Sequence, residues 1–489
     1  MTNKKFHSYY IYIIAVVAAT GGLLFGFDTG VISGAIPFFQ KDLSIDDNAV
    51  ELITSSGLIG AILGALFCGK AVDRFGRKKV ILLSAAIFVV GALWSGAAGN
   101  MYSLIFARMF LGIAIGISSF VVPLYIAEIS PAKYRGRLVA MFQLMITIGI
   151  LASYFSDLLF ADEQHLSCWR PMFYVGVFPA LVLLSGMYFM PESPRWLLSR
   201  GENEKSRSIL ARIESPDTFA TVWTQMETDI RADKQNASRW KELFRPWLRT
   251  PLMIAVFIMF FQQFIGINTV IYYSPKIFLM AGFDSAISAI WASAGVGVVN
   301  VCFTILSLFI IDRWGRRKLY FAGFAGIAVS LLALSACFLF SGQLDGAGKW
   351  LSIALMFLYI AFFAVSMGPL AWLIVSEVFP QRVRGLGTSL GSLSVWLFNT
   401  LVTFTFFKIV QALSFPEMEL TVEGESTGNP AGAFALYALV AIAGLIWGYF
   451  YLPETKGVSL EKIEEHWRKG LKARDLKNNF RNSRLECTT

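Results

Sequence analysis

Apolar runs of about twenty residues or more recur along the whole chain, parted by short polar loops, and an α-helix needs a run of that length to cross the hydrocarbon of a bilayer. Read at that length, twelve membrane spans are predicted, at about 9–38, 52–72, 80–98, 102–129, 138–159, 172–190, 252–280, 287–311, 319–340, 351–378, 387–413 and 432–452. Lipid offers the backbone no hydrogen-bond partners, so the spans are expected to be helices and the fold class to be an all-α polytopic membrane protein. One long polar interval, 192–250, separates the sixth span from the seventh. It mixes Lys, Arg, Glu and Asp at helical spacing with few Gly or Pro, which predicts short helices linking two sets of six spans. The tail from Lys456 opens on Ser459-Leu-Glu-Lys-Ile, a helix start with Ser459 as its cap, and then turns polar enough to predict disorder.

The two sets of spans repeat one another. Gly69-x-x-x-Asp73-Arg-Phe-Gly-Arg-Lys-Lys79 returns as Asp312-Arg-Trp-Gly-Arg-Arg-Lys318. Pro123-Leu-Tyr-x-x-Glu128-x-x-Pro131-x-x-x-Arg135-Gly136 returns as Pro369, Glu377, Pro380, Arg384 and Gly385. Pro191-Glu192-Ser-Pro, after span six, returns as Pro453-Glu454-Thr-Lys after span twelve. Three motif pairs in one order, each offset by about 240 to 260 residues, imply a duplicated six-helix unit. The expected division is a first half at 1–191, a linker at 192–249, a second half at 250–455 and a tail at 456–489.

Composition agrees with a membrane protein and narrows the partners. Of 489 residues, 56% are hydrophobic and 15% charged, which leaves little chain for a soluble catalytic domain. The net charge of +9 would suit nucleic acid, but its Lys and Arg fall in alternate loops, the pattern that fixes orientation in a bilayer. Arg74, Arg77, Lys78 and Lys79, then Lys133, Arg135 and Arg137, then Arg313, Arg316, Arg317 and Lys318 lie on one side. The opposite loops hold single cations (Lys41, Arg170, Lys276, Lys349, Lys408) and acids such as Glu417, Glu419, Glu423 and Glu425. Both termini are therefore expected in the cytoplasm, and no nucleic-acid partner is expected. Lys4 and Lys5 before an apolar run resemble a secretory signal, but the run is too long, contains Asp28 and lacks a small-residue cleavage site, so it is read as the first span. Five scattered cysteines indicate no disulfide framework, metal site or cofactor. His7, His165 and His466 fall at termini or in loops, which argues against a membrane enzyme. The acceptor triplet Asn236-Ala-Ser238 would face the cytoplasm and is read as chance.

Some polar groups interrupt the spans. In Phe261-Phe-Gln-Gln-Phe-Ile-Gly-Ile-Asn-Thr-Val-Ile-Tyr-Tyr-Ser-Pro275, the side chains of Gln262, Gln263, Asn268, Tyr272 and Tyr273 need partners that lipid cannot give. They face either a wet cavity that binds a substrate or a neighbouring helix that they glue. Gly266 and Pro275 predict a bent or interrupted helix there. Asp28 sits in span one, where an ionised carboxylate costs about 2.5 to 3.5 kcal/mol on insertion scales. Arg108 in span four is the predicted partner, with Gly112 and Gly116 admitting a close neighbour helix. Burial favours the neutral acid and the guanidinium favours the carboxylate, so the pair can switch with access to water. A static ion pair is the alternative.

With these residues the chain resembles the sugar porter family of the major facilitator superfamily, most of all bacterial proton-coupled xylose and hexose symporters and facilitative glucose transporters. The resemblance covers essentially the whole chain. It rests on the two basic loops, Pro191-Glu-Ser-Pro-Arg-Trp-Leu197, Gln262-Gln263 with Asn268, Gly368-Pro369 with Trp372, and Pro453-Glu-Thr-Lys-Gly457 taken together. It implies the major facilitator fold, a monosaccharide substrate and no enzymatic activity. It assigns proton coupling to Asp28 and Arg108, where uniporting relatives carry a neutral residue in place of the aspartate. Sugar hydroxyls both donate and accept, so amides and flat apolar faces suit them. By resemblance Gln143, Gln262, Gln263, Asn268, Tyr272, Asn300 and Asn399 supply polar contacts, and Phe25, Trp372 and Trp396 line or close the cavity. Gly368-Pro369 is expected to break the tenth helix. Val395 departs from the amide that relatives often carry there, which bears on the choice of sugar.

The repeated loop charges form an expected cytoplasmic gate: Asp73, Arg74, Arg77, Glu128, Arg135 and Glu192, then Asp312, Arg313, Arg316, Glu377, Arg384 and Glu454. The expected function is symport of a pentose or hexose with a proton by alternating access, in a bacterial inner membrane and as a monomer within the lipid bilayer. A uniporter and a transport-silent sugar sensor are the alternatives; Asp28 speaks against the first and the short tail against the second.

Overall fold

The structure is a computed structural model that describes every residue except 1, 132–133, 236–239, 341–346, 381–382, 415–419, 423–424, 459 and 477–489. Lys133, the Asn236-Ala-Ser238 triplet, Glu417, Glu419, Glu423 and Ser459 lie outside the described residues. Among the described residues, twelve helical segments are long and apolar enough to cross a membrane, as the sequence predicts. Contacts divide the chain into two units, one of Met1–Ile45 with Leu52–Ser238 and one of Asp46–Glu51 with Arg239–Thr489.

The first unit is built from α1 (Thr2–Asp42), α2 (Asp47–Phe75), α3 (Arg77–Ala97), α4 (Met101–Ile129), α5 (Arg135–Phe160), α6 (Trp169–Val175) and α7 (Val177–Phe189). The first turn of α2 falls in the other unit. α1 is one continuous helix of 41 residues that tolerates Pro37 near its end. Asp46 caps α2 by accepting the Ala49 amide at 3.0 Å, and that amide holds its exposed carboxyl below the usual carboxylate range. Helices approach closely where glycines stand. A Cβ on Gly26 of α1 would lie 1.9 Å from the Ile146 carbonyl of α5, and one on Gly112 of α4 would lie 1.9 Å from the Gly57 carbonyl of α2. Gly112 and Gly116 thus admit a close neighbour as the sequence predicts, and that neighbour is α2.

The polar interval folds into α8 (Pro194–Ser199), α9 (Asn203–Ile213) and α10 (Pro216–Gln235), which group with the first unit. Ser193 starts α8 by accepting the Trp196 amide, and Pro194 occupies the first turn, where its missing N–H costs nothing. These helices are held by a small apolar core of their own, Leu198, Leu210, Trp223 and Ile230.

The second unit holds α11 (Trp240–Leu243), α12 (Arg249–Phe264), α13 (Ile267–Met280), α14 (Ala286–Trp314), α15 (Arg316–Leu339), α16 (Ala347–Val365), α17 (Met367–Val378), α18 (Arg384–Ala412), α19 (Ala431–Tyr451) and α20 (Leu460–Arg468). Span seven is broken between α12 and α13 at Gly266, whose φ of +84° is left-handed and needs glycine. Pro275, also expected to bend this segment, sits inside α13. Span ten breaks between α16 and α17 at Ser366. The cause is Pro369, which has no N–H to give the Val365 carbonyl and crowds it. One feature departs from the all-α expectation: β1 (Leu420–Val422) and β2 (Glu425–Thr427) form an antiparallel hairpin with Leu420 opposite Thr427. Thr and Val suit a short strand in a loop that lies outside the spans.

Candidate functional site

In the first unit α1 and α4 bring two charges together inside the apolar interior. The Arg108 guanidinium donates to both carboxylate oxygens of Asp28, through Nη1 to Oδ1 and through Nη2 to Oδ2 at 3.0 Å. Asp28 is 4% exposed and Arg108 2%, so the pair is withdrawn from water. Arg108 also lies over the Phe173 ring, 5.7 Å from its centroid. A bidentate pair of this kind is stable only while both charges persist, because losing one leaves the other buried and uncompensated. Phe25, one turn before Asp28, and Gln143 of α5 are half-buried.

In the second unit the predicted amides form a chain. Asn268 Nδ2 donates to Gln263 Oε1 at 2.5 Å, Gln263 Nε2 donates to Gln262 Oε1 at 3.2 Å, and Gln262 Nε2 donates to the Met367 carbonyl at 2.9 Å. That carbonyl lies at the α16–α17 break, so two helix interruptions are joined by three amides. The break at Gly266 is itself supported: Tyr359 Oη donates to the Ile265 carbonyl at 2.9 Å, and the Tyr437 ring fills the space a side chain would need at residue 266. Of the other residues assigned here, Tyr272, Asn300, Trp396 and Asn399 are buried, Val395 is buried beside Trp396, and Trp372 is exposed. Asn399 Oδ1 accepts from Thr403 Oγ1 at 3.1 Å. Tyr273 donates to the Thr403 carbonyl and stacks on Phe406, so this one polar group of the stretch is helix glue. Gly368 follows the break and lies inside α17.

The loop charges assemble as two copies of one corner, each closed within its own unit. In the first, Arg77 Nη2 donates to Glu128 Oε1 at 2.8 Å, and Glu192 accepts the backbone amides of Arg77, Lys78 and Ser193. In the second, Arg316 Nη2 donates to Glu377 Oε1 at 2.8 Å, and Glu454 accepts the amides of Arg316, Arg317 and Lys456. Each outer glutamate thus caps the start of a helix, α3 or α15, whose N–H groups would otherwise lack partners. Two participants escaped the sequence reading, although both stand inside quoted motifs: Ser193 Oγ donates to Glu128 Oε2 and Thr455 Oγ1 to Glu377 Oε2, each at 2.5 Å. The spacing Glu-Ser and Glu-Thr at matched positions was the available signal.

Other predicted gate residues do not join these pairs through their side chains. Asp73 and Arg74 are exposed, and they take part through their carbonyls, which accept from Arg200 at 2.8 Å. Arg313 is exposed, with its carbonyl bonded to Lys456 Nζ. Arg135 is exposed at the start of α5. The Asp312 side chain lies outside what is described.

A second charged group was not legible in the sequence. The second unit includes Asp46–Glu51, and the fully buried Glu51 accepts the Phe407 amide at 2.5 Å and the Lys408 ammonium. Asp47 accepts from Lys276. Lys276 and Lys408, expected in loops, are thus on α13 and α18, each neutralised by an acid.

Set beside known proteins, residues 14–467 match the family described as "Sugar (and other) transporter". The glucose transporter GlcP of Staphylococcus epidermidis is 39% identical over 463 residues, 95% of this chain and 98% of that one. The galactose-proton symporter of Escherichia coli is 35% identical over 467 residues, 95% and 96% of the two chains. Among solved structures, the inward-open xylose transporter XylE from Escherichia coli aligns with a TM-score of 0.76 and 30% identity, over 94% of this chain and all of that one. These relatives are membrane transporters and not enzymes. The chain belongs to the sugar transporter family and has the major facilitator fold, with twelve membrane-spanning helices.

Proposed function

We propose that the protein is a symporter that moves a monosaccharide, a pentose or hexose, across the membrane together with a proton by alternating access. The observation that carries this reading is the buried Asp28–Arg108 pair. Protonating Asp28 removes its charge, weakens the hold on Arg108 and changes what α1 and α4 can do together, which is what a transferable proton must accomplish. The relatives named for glucose, for galactose with a proton, and for xylose support the substrate class.

The second half chiefly holds the sugar. Gln262, Gln263 and Asn268 carry donors and acceptors in one chain, so a sugar hydroxyl can bond to members of it without stranding the others. Tyr272, Asn300, Gly368, Trp372, Trp396 and Asn399 are the further contacts proposed there, with Phe25 and Gln143 the contribution of the first half. The two corners, centred on Arg77 and Arg316, are the proposed cytoplasmic gate, and both termini lie in the cytoplasm of a bacterial cell. Because the amide chain needs no proton to bind a sugar, a facilitative uniporter is the second reading.

Uptake into proteoliposomes under an imposed proton gradient separates the two, over a panel of pentoses, hexoses and polyols. Wild type is expected to concentrate its sugar and Asp28→Asn only to equilibrate it. Equal accumulation by both proteins, or indifference of wild type to the gradient, overturns symport.

A further inference from the structure

Asp157 on α5 is buried completely, and neither of its carboxylate oxygens has a hydrogen-bond partner among the described residues. It faces the backbone of α1. A Cβ on Gly34 would lie 2.3 Å from Oδ2, so the carboxyl rests where only glycine leaves room. One turn earlier on α5, Ser153 occupies the corresponding place at Gly30, and its hydroxyl donates to the Ile150 carbonyl at 2.7 Å instead of to the acid.

The helices packed against α5 are α1, α4 and α6. The charges they carry are committed elsewhere. Asp28 is six residues before Gly34, about 9 Å along α1 and about 120° round the helix at 100° per residue, where Arg108 of α4 holds it. Lys41 and Asp42 lie about two turns past Gly34. Asp42 takes the Trp169 indole at 2.8 Å, and Arg170 of α6 donates to the Gly96 and Ala98 carbonyls. Among the described residues an ionised carboxylate in this seam would be a buried charge without a counter-ion, with no donor beside it but the Gly34 amide, which is the arrangement proteins avoid by keeping the proton on.

We propose that Asp157 is a second proton-binding site, held as the neutral carboxylic acid in the seam between α1 and α5 and separate from the Asp28 pair. Its O–H can reach for a backbone carbonyl of the seam, whereas ionisation places an uncompensated charge there and parts α1 from α5. Because α1 carries Asp28, the state of Asp157 governs the footing of that helix. The inference stands whether or not sugar movement is coupled to protons.

The test uses the purified full chain in detergent micelles and needs no sugar. Infrared spectra of wild type should contain the carbonyl-stretch band of a buried carboxylic acid, lost in Asp157→Asn and kept in Asp28→Asn. Melting temperature should fall as pH rises from the ordinary carboxylate range up to the ionisation of Asp157 in the folded protein, since over that window the native state holds a proton that the unfolded chain has released. In Asp157→Asn that fall should be smaller, what is left coming from other groups such as the Lys276–Asp47 and Lys408–Glu51 pairs. Asp157→Ser serves as the second variant, with the same expected loss of the band and the same reduction of the fall. A spectrum unchanged by either substitution, or a pH dependence of melting that is the same in wild type and both variants, overturns the proposal. Neither readout involves transport, so a failed Asp28→Asn uptake experiment and a failure here are told apart.

Discussion

The two halves of the chain solve the same problem at their basic loops and different problems at their centres. At the loops the solution is duplicated: an arginine pairs with a glutamate, a hydroxyl one residue past a second glutamate bonds to the first, and that second glutamate caps a helix. At the centres α1 is unbroken and carries one ion pair, while its counterpart is split at Gly266 and carries a row of neutral amides. A duplicated fold can therefore keep its loop corners and differ at its centres. An unbroken helix suits a single charge that needs only one partner, and a broken one exposes carbonyls and side chains suited to a molecule with many hydroxyls.

The largest effect should come from mending the break. Gly266→Ala forces a left-handed φ on a residue with a Cβ and drives that atom to 2.4 Å from the Tyr437 ring, costs that together reach about 2–5 kcal/mol. Thermal unfolding of the purified protein should show a large drop. Gly176→Ala, at the break between α6 and α7 of the first half, has an ordinary φ of −58° and meets no atom closer than 3.3 Å, so it should cost much less. Equal losses at the two positions would remove the distinction between the halves. A middle-sized effect is expected for Gln262→Leu, which deletes the donor to Met367 and strands the Gln263 amide, a penalty of about 1–3 kcal/mol. Sugar binding measured by calorimetry should weaken about tenfold or more. An unchanged affinity would make the amide row glue. The smallest effect should fall on Thr455→Ala and Ser193→Ala, about 1 kcal/mol for the first and about 1–2 kcal/mol for the second. Ser193→Ala should lose somewhat more, because Ser193 also caps α8, and a larger loss at Thr455→Ala in a denaturation series would show that the corners have diverged.

Much of this was legible in the sequence because it follows from chain-local physics. Twelve apolar runs become twelve spans since lipid permits little else, and Gly266 and Gly368-Pro369 mark interruptions because a glycine tolerates left-handed φ and a proline lacks a donor. Asp28 and Arg108 could be paired on paper because each alone is too costly in a span. Asp73 and Arg74, by contrast, read as gate charges from their motif, yet contribute backbone carbonyls, since the motif fixes a tight turn as well as a charge. Tyr273 was indistinguishable from Tyr272 until Phe406 and Phe407 were seen around its ring.

What the sequence by itself determined is the set of helices, their duplication, and which side chains cannot be left to lipid. Those follow from length, spacing and the cost of burying polar groups. What only the tertiary structure decided is who satisfies whom. It links Asn268 to Gln263, Gln262 and a carbonyl about 100 residues away, gives Glu51 to Lys408, and leaves Asp157 against bare backbone at Gly34. Hydrogen bonds and ion pairs depend on ångström-scale approach between helices distant in sequence, and no pattern along one helix specifies which face of another it will meet.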